Sequence, residues 1–295
     1  MKDFKPLQPT NAKLDKHIFP CWVQKKYDGE KLVWKDDKPL SRRLKPVKNQ
    51  WLTGQLEDLL GTDLGILEGE VQVDGTFEAT AGFLNSGNRE GNFIYWVFDL
   101  VADGTYAQRY AMLEKIVADI DDPRLQIVGY DTVMDMDELM AFHVIYDADP
   151  ALDGTITVNP DADYKFGRST GTVQEKTKIK SFEDSEAVIK GYTERMHNTN
   201  AAKTNELGRT ERSSAKAGLE PTGLIATYLC DWNGVDIEVT ATGTLESRKE
   251  RFENFDDLCM GKFVKFQFQG VFPSGKPRFP TELALRHEDD MGETT

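Results

Sequence analysis

The sequence predicts an α+β protein in two parts: a larger one mixing strands and helices, then a small β barrel. Two observations carry this. At 295 residues the chain exceeds the usual single-domain length of about 100–200 residues. Strand-like and helix-like patterns interleave as far as residue 181, and from 182 onward short strands dominate. The expected domains are therefore 1–181 and 182–295.

In the first part, CWVQKKYDGEKLVWK (21–35) alternates apolar and polar residues. It reads as two strands joined at Tyr27-Asp28-Gly29, because Asp-Gly favours a tight turn between paired strands. GILEGEVQVDG (65–75) is a further strand, and NFIYWVFDLV (92–101) is apolar enough for burial on both faces. These are expected as central strands of one sheet. TYAQRYAMLEKIVADI (105–120) places Tyr106, Tyr110, Leu113, Ile116 and Val117 at helical spacing, and 135–147 repeats the pattern more weakly. Strands resume at GTITV (154–158) and TKIKSF (177–182).

In the second part, GLIATYLCDWNGVDIEVTATG (223–243) contains Asn233-Gly234, a strong hairpin signal. TLESRKERFENFDDLC (244–259) reads as a helix, and KFVKFQFQG (262–270) sets Val264, Phe266 and Phe268 on one face of a strand. About five strands with one helix suit an OB-fold, a barrel often used to hold nucleic acid.

The formal charge of −14 excludes indiscriminate DNA binding by the whole surface, since phosphate contacts need clustered Lys and Arg. Any such site must be local. Arg195, Lys203, Arg209, Arg212 and Lys216 form a basic island against only Glu206 and Glu211, which by charge alone reads as a solvated loop. Cys21, Cys230 and Cys259 form no CxxC pair, so neither a zinc site nor a disulfide framework is expected, and a cytoplasmic or other intracellular setting fits. No signal-peptide core and no run of 18 or more apolar residues occurs, so neither secretion nor a membrane partner is expected. His17, His143 and His197 have no metal-ligand or nucleophile-base spacing.

An ordered set of motifs carries the chemistry. It begins with Lys26-Tyr27-Asp28-Gly29-Glu30-Lys31 and continues through Ser41-Arg42, Glu68-Gly69-Glu70, Tyr95-Trp96-Val97-Phe98-Asp99-Leu100 and Asp153-Gly154-Thr155-Ile156. Lys165-Phe166-Gly167-Arg168-Ser169-Thr170, Lys178-Ile179-Lys180, Pro277-Arg278-Phe279-Pro280 and Arg286-His287-Glu288-Asp289-Asp290 complete it. In this order the set resembles the covalent nucleotidyltransferases, and most closely the minimal two-domain ATP-dependent DNA ligases of viral type. The resemblance spans nearly the whole chain. Three positions depart from the family pattern: Lys31 stands for arginine, Asp153 for glutamate, and Met291 for the basic residue after Asp290.

The resemblance implies an ATP-grasp-like adenylation (nucleotidyltransferase) domain, then an OB-fold domain with a DNA-clamping latch inserted at about 195–217. Lys26 would be the nucleophile that carries AMP, with Asp28, Lys178, Lys180, Arg278 and Asp290 also serving catalysis. Gln24, Lys26, Lys31, Arg42, Glu70, Phe98, Lys178 and Lys180 would bind the nucleotide, Phe98 by stacking on adenine. Asp28, Glu70 and Asp153 would hold magnesium, with manganese as a substitute. Arg42, Lys165, Arg168, Lys203, Arg209, Arg212 and Lys216 would meet DNA. The implied partner is nicked double-stranded DNA, clamped by a monomer, and a viral or phage origin is compatible with this. ATP is expected rather than NAD, since no extension precedes the lysine motif and no cysteine cluster supplies a zinc module.

Physical chemistry favours these residue types. A lysine attacks the α-phosphate only as the free amine, whereas lysine ordinarily titrates near about 10.4. Nearby cations disfavour an ammonium and also neutralise phosphate, so one lysine-rich cluster serves both needs. Phosphoryl transfer then depends on in-line positioning and charge stabilisation. Within the same class, RNA ligation or mRNA capping is the alternative, against which the Pro277–Asp290 segment and the insertion favour DNA. In another class the chain would be a non-catalytic nucleic-acid-binding OB protein with a degenerate nucleotidyltransferase domain.

Overall fold

The computed structural model describes residues 4–75 and 77–286, so the expectations placed on Asp290 and Met291 lie outside the described residues. Two units divide the chain: residues through Lys180 with Asn205–Arg209, and Ser181–Thr204 with everything from Thr210.

The first unit holds two five-stranded sheets. One runs in spatial order Thr10–Asn11, Lys176–Ile179, Leu152–Val158, Cys21–Tyr27, Tyr130–Val133, antiparallel except where Thr10–Asn11 joins. The other runs Lys38–Ser41, Glu30–Lys35, Leu67–Val73, Phe93–Leu100, Leu125–Ile127, with only the last pair parallel.

This corrects two expectations. Cys21–Tyr27 lies in a different sheet from Leu67–Val73 and Phe93–Leu100, so the three are not neighbours in one sheet. Nor do the two strands of 21–35 form a hairpin. Cys21–Tyr27 pairs with Leu152–Val158 and Tyr130–Val133, whereas Glu30–Lys35 pairs with Leu67–Val73 and Lys38–Ser41. Asp28-Gly29 is instead the crossing from one sheet to the other. Glycine is required there by proximity: a Cβ on Gly29 would stand 2.2 Å from the Val71 carbonyl oxygen.

Helices cover the sheets where the pattern places them. Tyr106–Ile120 starts with a capping box, in which Thr105 accepts from the Gln108 amide and Gln108 reaches back to Thr105 N. It buries Tyr106, Arg109, Tyr110 and Leu113. Met136–Asp147 is capped by Asp135, which accepts from Glu138 N at 3.0 Å. Helices Gln50–Leu60 and Phe77–Asn85 lie outside the segments read from the pattern, and bury Leu52, Leu56, Leu60 and Phe83 against Trp34, Tyr95 and Val97. Each such fully buried apolar side chain contributes about 1.5–3 kcal/mol of transfer free energy.

In the second unit, Glu183–Asn198, Leu219–Trp232, Val235–Thr240, Thr281–Arg286 and Phe263–Phe268 close into a barrel in that order. In sequence numbering the order is 1-2-3-5-4, with the helical segment between the third and fourth strands, which is an OB-like plan. The hairpin turn is where Asn-Gly predicts it, with φ of 53° at Asn233 and 84° at Gly234. The helix expected over 244–259 is broken: Leu245–Glu253 ends at Asn254, whose φ of −124° and ψ of 41° are not helical, and Phe255–Leu258 follows. The break turns Phe255 and Cys259 into the core with Ile189, Tyr228, Val239 and Phe266. The basic island is not featureless, since Ala202–Thr204 and Thr210–Arg212 pair antiparallel.

Candidate active site

The site grows from one irregularity in the first sheet. Across the pair formed by Cys21–Tyr27 and Leu152–Val158, Lys25 faces Thr155 but Tyr27 faces Leu152, so Asp153 and Gly154 form a bulge opposite Lys26. Gly154 makes it possible, with φ of 101° and an ideal Cβ position 2.3 Å from the Ile179 carbonyl oxygen. The bulge aims Asp153 at two lysines at once. Its carboxylate accepts from the Lys26 ammonium and, at 2.8 Å, from Lys180 Nζ. All three side chains are mostly but not wholly enclosed.

Lys178 and Lys180 come from the adjoining strand Lys176–Ile179 and its end. Burial, then repulsion from Lys26, pushes both below the ordinary lysine value, and Arg168 and Arg42 add to the effect at Lys178. Burial works against Asp153, but the ammonium groups of Lys26 and Lys180 hold it below the usual carboxylate range. Lys26, Lys178, Lys180, Asp153, Arg42 and Arg168 are thus one electrostatic cluster. Arg42 and Arg168 are exposed and Lys165 is partly so.

The second sheet supplies the other wall. Glu70 sits opposite Lys31 on paired strands. Burial pushes its carboxyl up to about 7; Lys26 and Lys31 oppose the rise, and Glu30 and Asp153 add to it. Asp28, 6% exposed, lies on the crossing, where its amide donates to the Ala151 carbonyl at 3.1 Å. Lys31 donates to Leu7 O at 2.7 Å and to Glu68 at 3.0 Å. Phe98 is itself the extra residue of a bulge, since Glu68 faces Asp99 but Gly69 faces Val97. The Phe98 carbonyl accepts from Tyr106 Oη at 2.6 Å, and its ring lies 5.4 Å from Lys31 Nζ and 4.6 Å from Lys176 Nζ.

Some expectations are met differently. Gln24 is 2% exposed and donates to Val128 O at 3.2 Å, with its Oε1 3.3 Å from Tyr106 Oη, so its side chain braces the Lys26 strand. Among the described residues, no group of three or more His, Cys, Asp or Glu side chains could hold a metal. Asp28, Glu70 and Asp153 therefore form no ready-made cage, because Asp153 is committed to two lysines. A magnesium ion needs no such cage, since it takes one or two carboxylates, substrate phosphates and waters. Glu70, whose carboxyl the Asp153 charge helps to raise, and Asp153 are hard oxygen donors of that kind. Arg278 belongs to the second unit, where its guanidinium lies 5.5 Å from the Phe272 ring and 5.8 Å from that of Phe279. Lys203, Arg209, Arg212 and Lys216 are exposed. His143 is a structural histidine, its Nδ1 2.9 Å from Thr155 Oγ1.

The structure adds residues to which the motif set assigns no role. Asp99, wholly buried, accepts from Arg109 Nε at 2.9 Å and Lys176 Nζ at 2.8 Å. Glu68, also wholly buried, accepts from Tyr164 Oη at 2.8 Å and from Leu7 N at 3.0 Å. Lys176 had a sequence signal: it stands two residues before Lys178 in K-T-K-I-K, on the same strand face. Arg109 had none, being one charge in an amphipathic helix.

No family model and no curated protein matches the sequence. Solved structures do. A Lig E DNA ligase, described as binding DNA with a minimal scaffold, matches with a TM-score of 0.74 at 20% identity over 96% of this chain and 99% of its own, which establishes the fold. Two structures of Chlorella virus DNA ligase-adenylate match at 25% and 26% identity, with TM-scores of 0.54 and 0.53, over 97% and 96% of this chain and 99% of theirs. No helix among the described residues is long and apolar enough to cross a membrane. Over nearly its whole length the chain is similar in fold to DNA ligases, two of them structures of a ligase-adenylate.

Proposed function

We propose that the protein is an ATP-dependent DNA ligase that seals 3′-OH/5′-phosphate nicks in duplex DNA through AMP carried on Lys26. The observation that carries this is the bulge that sets Asp153 against Lys26 and Lys180, with Lys178 beside them, in a chain similar end to end to ligase-adenylates. The first unit is the adenylation domain and the barrel is the OB domain, with the paired segments near 202–212 as the latch.

In the first step Lys26 Nζ, having released a proton, attacks the α-phosphorus of ATP. A P–N bond forms, the bond between α-phosphorus and bridging oxygen breaks, and pyrophosphate leaves. Lys178 and Lys180 neutralise the equatorial oxygens, and positioning with charge stabilisation supplies most of the rate. Asp153 holds Lys26 in place before the nucleotide arrives. Glu70 and Asp153 are the residues that would hold magnesium, whose chemistry there is charge neutralisation of the phosphates. In the second step a 5′-phosphate oxygen of the nick attacks the phosphorus on Lys26, the P–N bond breaks, and the amine regains a proton. In the third, the 3′-hydroxyl attacks the 5′-phosphorus and AMP departs.

DNA binding falls to basic residues at the surface, the exposed Arg42 and Arg168 and the partly exposed Lys165 in the first unit with Arg209, and Lys203, Arg212 and Lys216 in the second. Phosphate contacts of this kind position the protein without reading sequence. The test is sealing of a singly nicked duplex with ATP and magnesium by wild type and Lys26→Ala. Wild type should close the nick and the variant should not; absence of closure by wild type with any nucleotide would refute the reading.

A further inference from the structure

Lys178 and Lys180 have an unassigned neighbour in the same row. Lys176 and Lys178 share a face of the strand Lys176–Ile179, and Lys180 follows directly at its end, a row of about 13 Å. At one end Lys180 meets Asp153 and the nucleophile. At the other, Lys176 is 4% exposed and its ammonium is wedged among three groups: Asp99 Oδ2 at 2.8 Å, the Phe98 ring at 4.6 Å and the Tyr106 ring at 4.9 Å. Those groups define the bulge at Phe98, because Asp99 follows it and Tyr106 Oη holds its carbonyl. A bulge residue lacks a partner in the ladder, so its direction depends on what packs around it.

We propose that Lys176 is a positioning residue that, clamped by Asp99, fixes the Phe98 ring at the base end of the nucleotide site, while Lys178 and Lys180 serve the phosphate end. This rests on the reading of Phe98 as the adenine platform. Removing a buried ammonium leaves the Asp99 charge facing it uncompensated, and the cation–π contact favours one placement of the Phe98 ring. Lys176 therefore governs how well the base is bound and leaves the reactive atoms alone.

The experiment measures self-adenylation at varied ATP for wild type, Lys176→Met, Lys176→Arg and Phe98→Leu, with inhibition by inorganic tripolyphosphate as a probe of the phosphate end. Lys176→Met should raise the KM for ATP about tenfold, change kcat by less than about threefold and leave tripolyphosphate inhibition unaltered, and Lys176→Arg should recover most of the loss. Equal weakening of ATP and tripolyphosphate, or a fall in kcat at constant KM, overturns the proposal. If Phe98→Leu leaves the KM unchanged, the base-platform reading fails. If Phe98→Leu raises the KM and both Lys176 variants do not, the platform stands and the role of Lys176 fails. Should Lys176→Met not fold, the charge-retaining Lys176→Arg decides: a wild-type KM supports the proposal, and a tripolyphosphate effect equal to that on ATP overturns it.

Discussion

Replacing Glu70 with glutamine separates the stability cost of the site from its use. Burial moves the Glu70 carboxyl from its ordinary 4.5 up to about 7, against the pull of Lys26 and Lys31. A carboxyl raised in the folded state favours folding when protonated: that stability is fully present below about pH 4.5 and is lost as the pH rises through about 7. At about 1.36 kcal/mol per pH unit, the interval corresponds to about 3 kcal/mol withheld from the native state at alkaline pH. Glutamine keeps the shape and carries no charge. Urea unfolding of Glu70→Gln, without nucleotide or divalent ions, should therefore show a variant about 1–3 kcal/mol more stable than wild type at pH 8.5. The advantage should fade between about pH 7 and pH 4.5, while nick sealing is lost throughout. A stability difference that does not change with pH, or a variant less stable than wild type at pH 8.5, would show that the Glu70 charge does not strain the native state.

Three further outcomes follow from the geometry. Asp99→Asn leaves Arg109 and Lys176 without their shared buried carboxylate and should lower unfolding free energy by about 3–5 kcal/mol in urea titrations; a loss below about 1 kcal/mol contradicts the network. Gly154→Ala places a Cβ against the Ile179 carbonyl at a positive φ, so it should cost about 1–3 kcal/mol and, by displacing Asp153, abolish labelling by ATP; near-normal labelling would remove the bulge from the mechanism. Nick binding should weaken steeply with salt, and the slope of log K against log salt should become shallower by about one for Arg212→Ala and again for added Lys216→Ala. An unchanged slope would exclude both from phosphate contact.

What the sequence disclosed was local in character. Alternation marked the strands around Lys26, an apolar run marked the strand of Phe98, and helical spacing marked the helices at Tyr106–Ile120 and Met136–Asp147. The Asn233-Gly234 turn formed as its residue types demand, because a two-residue turn is set by its own backbone. Asp28-Gly29 carries the same signal and makes no hairpin. There the strands' other partners decided pairing, and the glycine answers to Val71, 42 positions later in the chain, not to a turn. The motif order singled out Lys26, Asp153, Lys178 and Lys180 but not the bulge that joins them, since a bulge is a mismatch between strands distant in sequence. The Asp99–Arg109–Lys176 network was illegible for the same reason: Asp99 and Lys176 are 77 positions apart, and buried charges look like surface charges until their partners are known.

A covalent nucleotide on Lys26 is tested most directly by following α-labelled ATP on the protein. Wild type incubated with magnesium should acquire acid-labile label on the peptide containing Lys26, and addition of nicked duplex should move it to DNA and then to free AMP. Lys26→Ala should take up none. Label on another residue, or label on Lys26 that nicked DNA does not remove, would contradict the account.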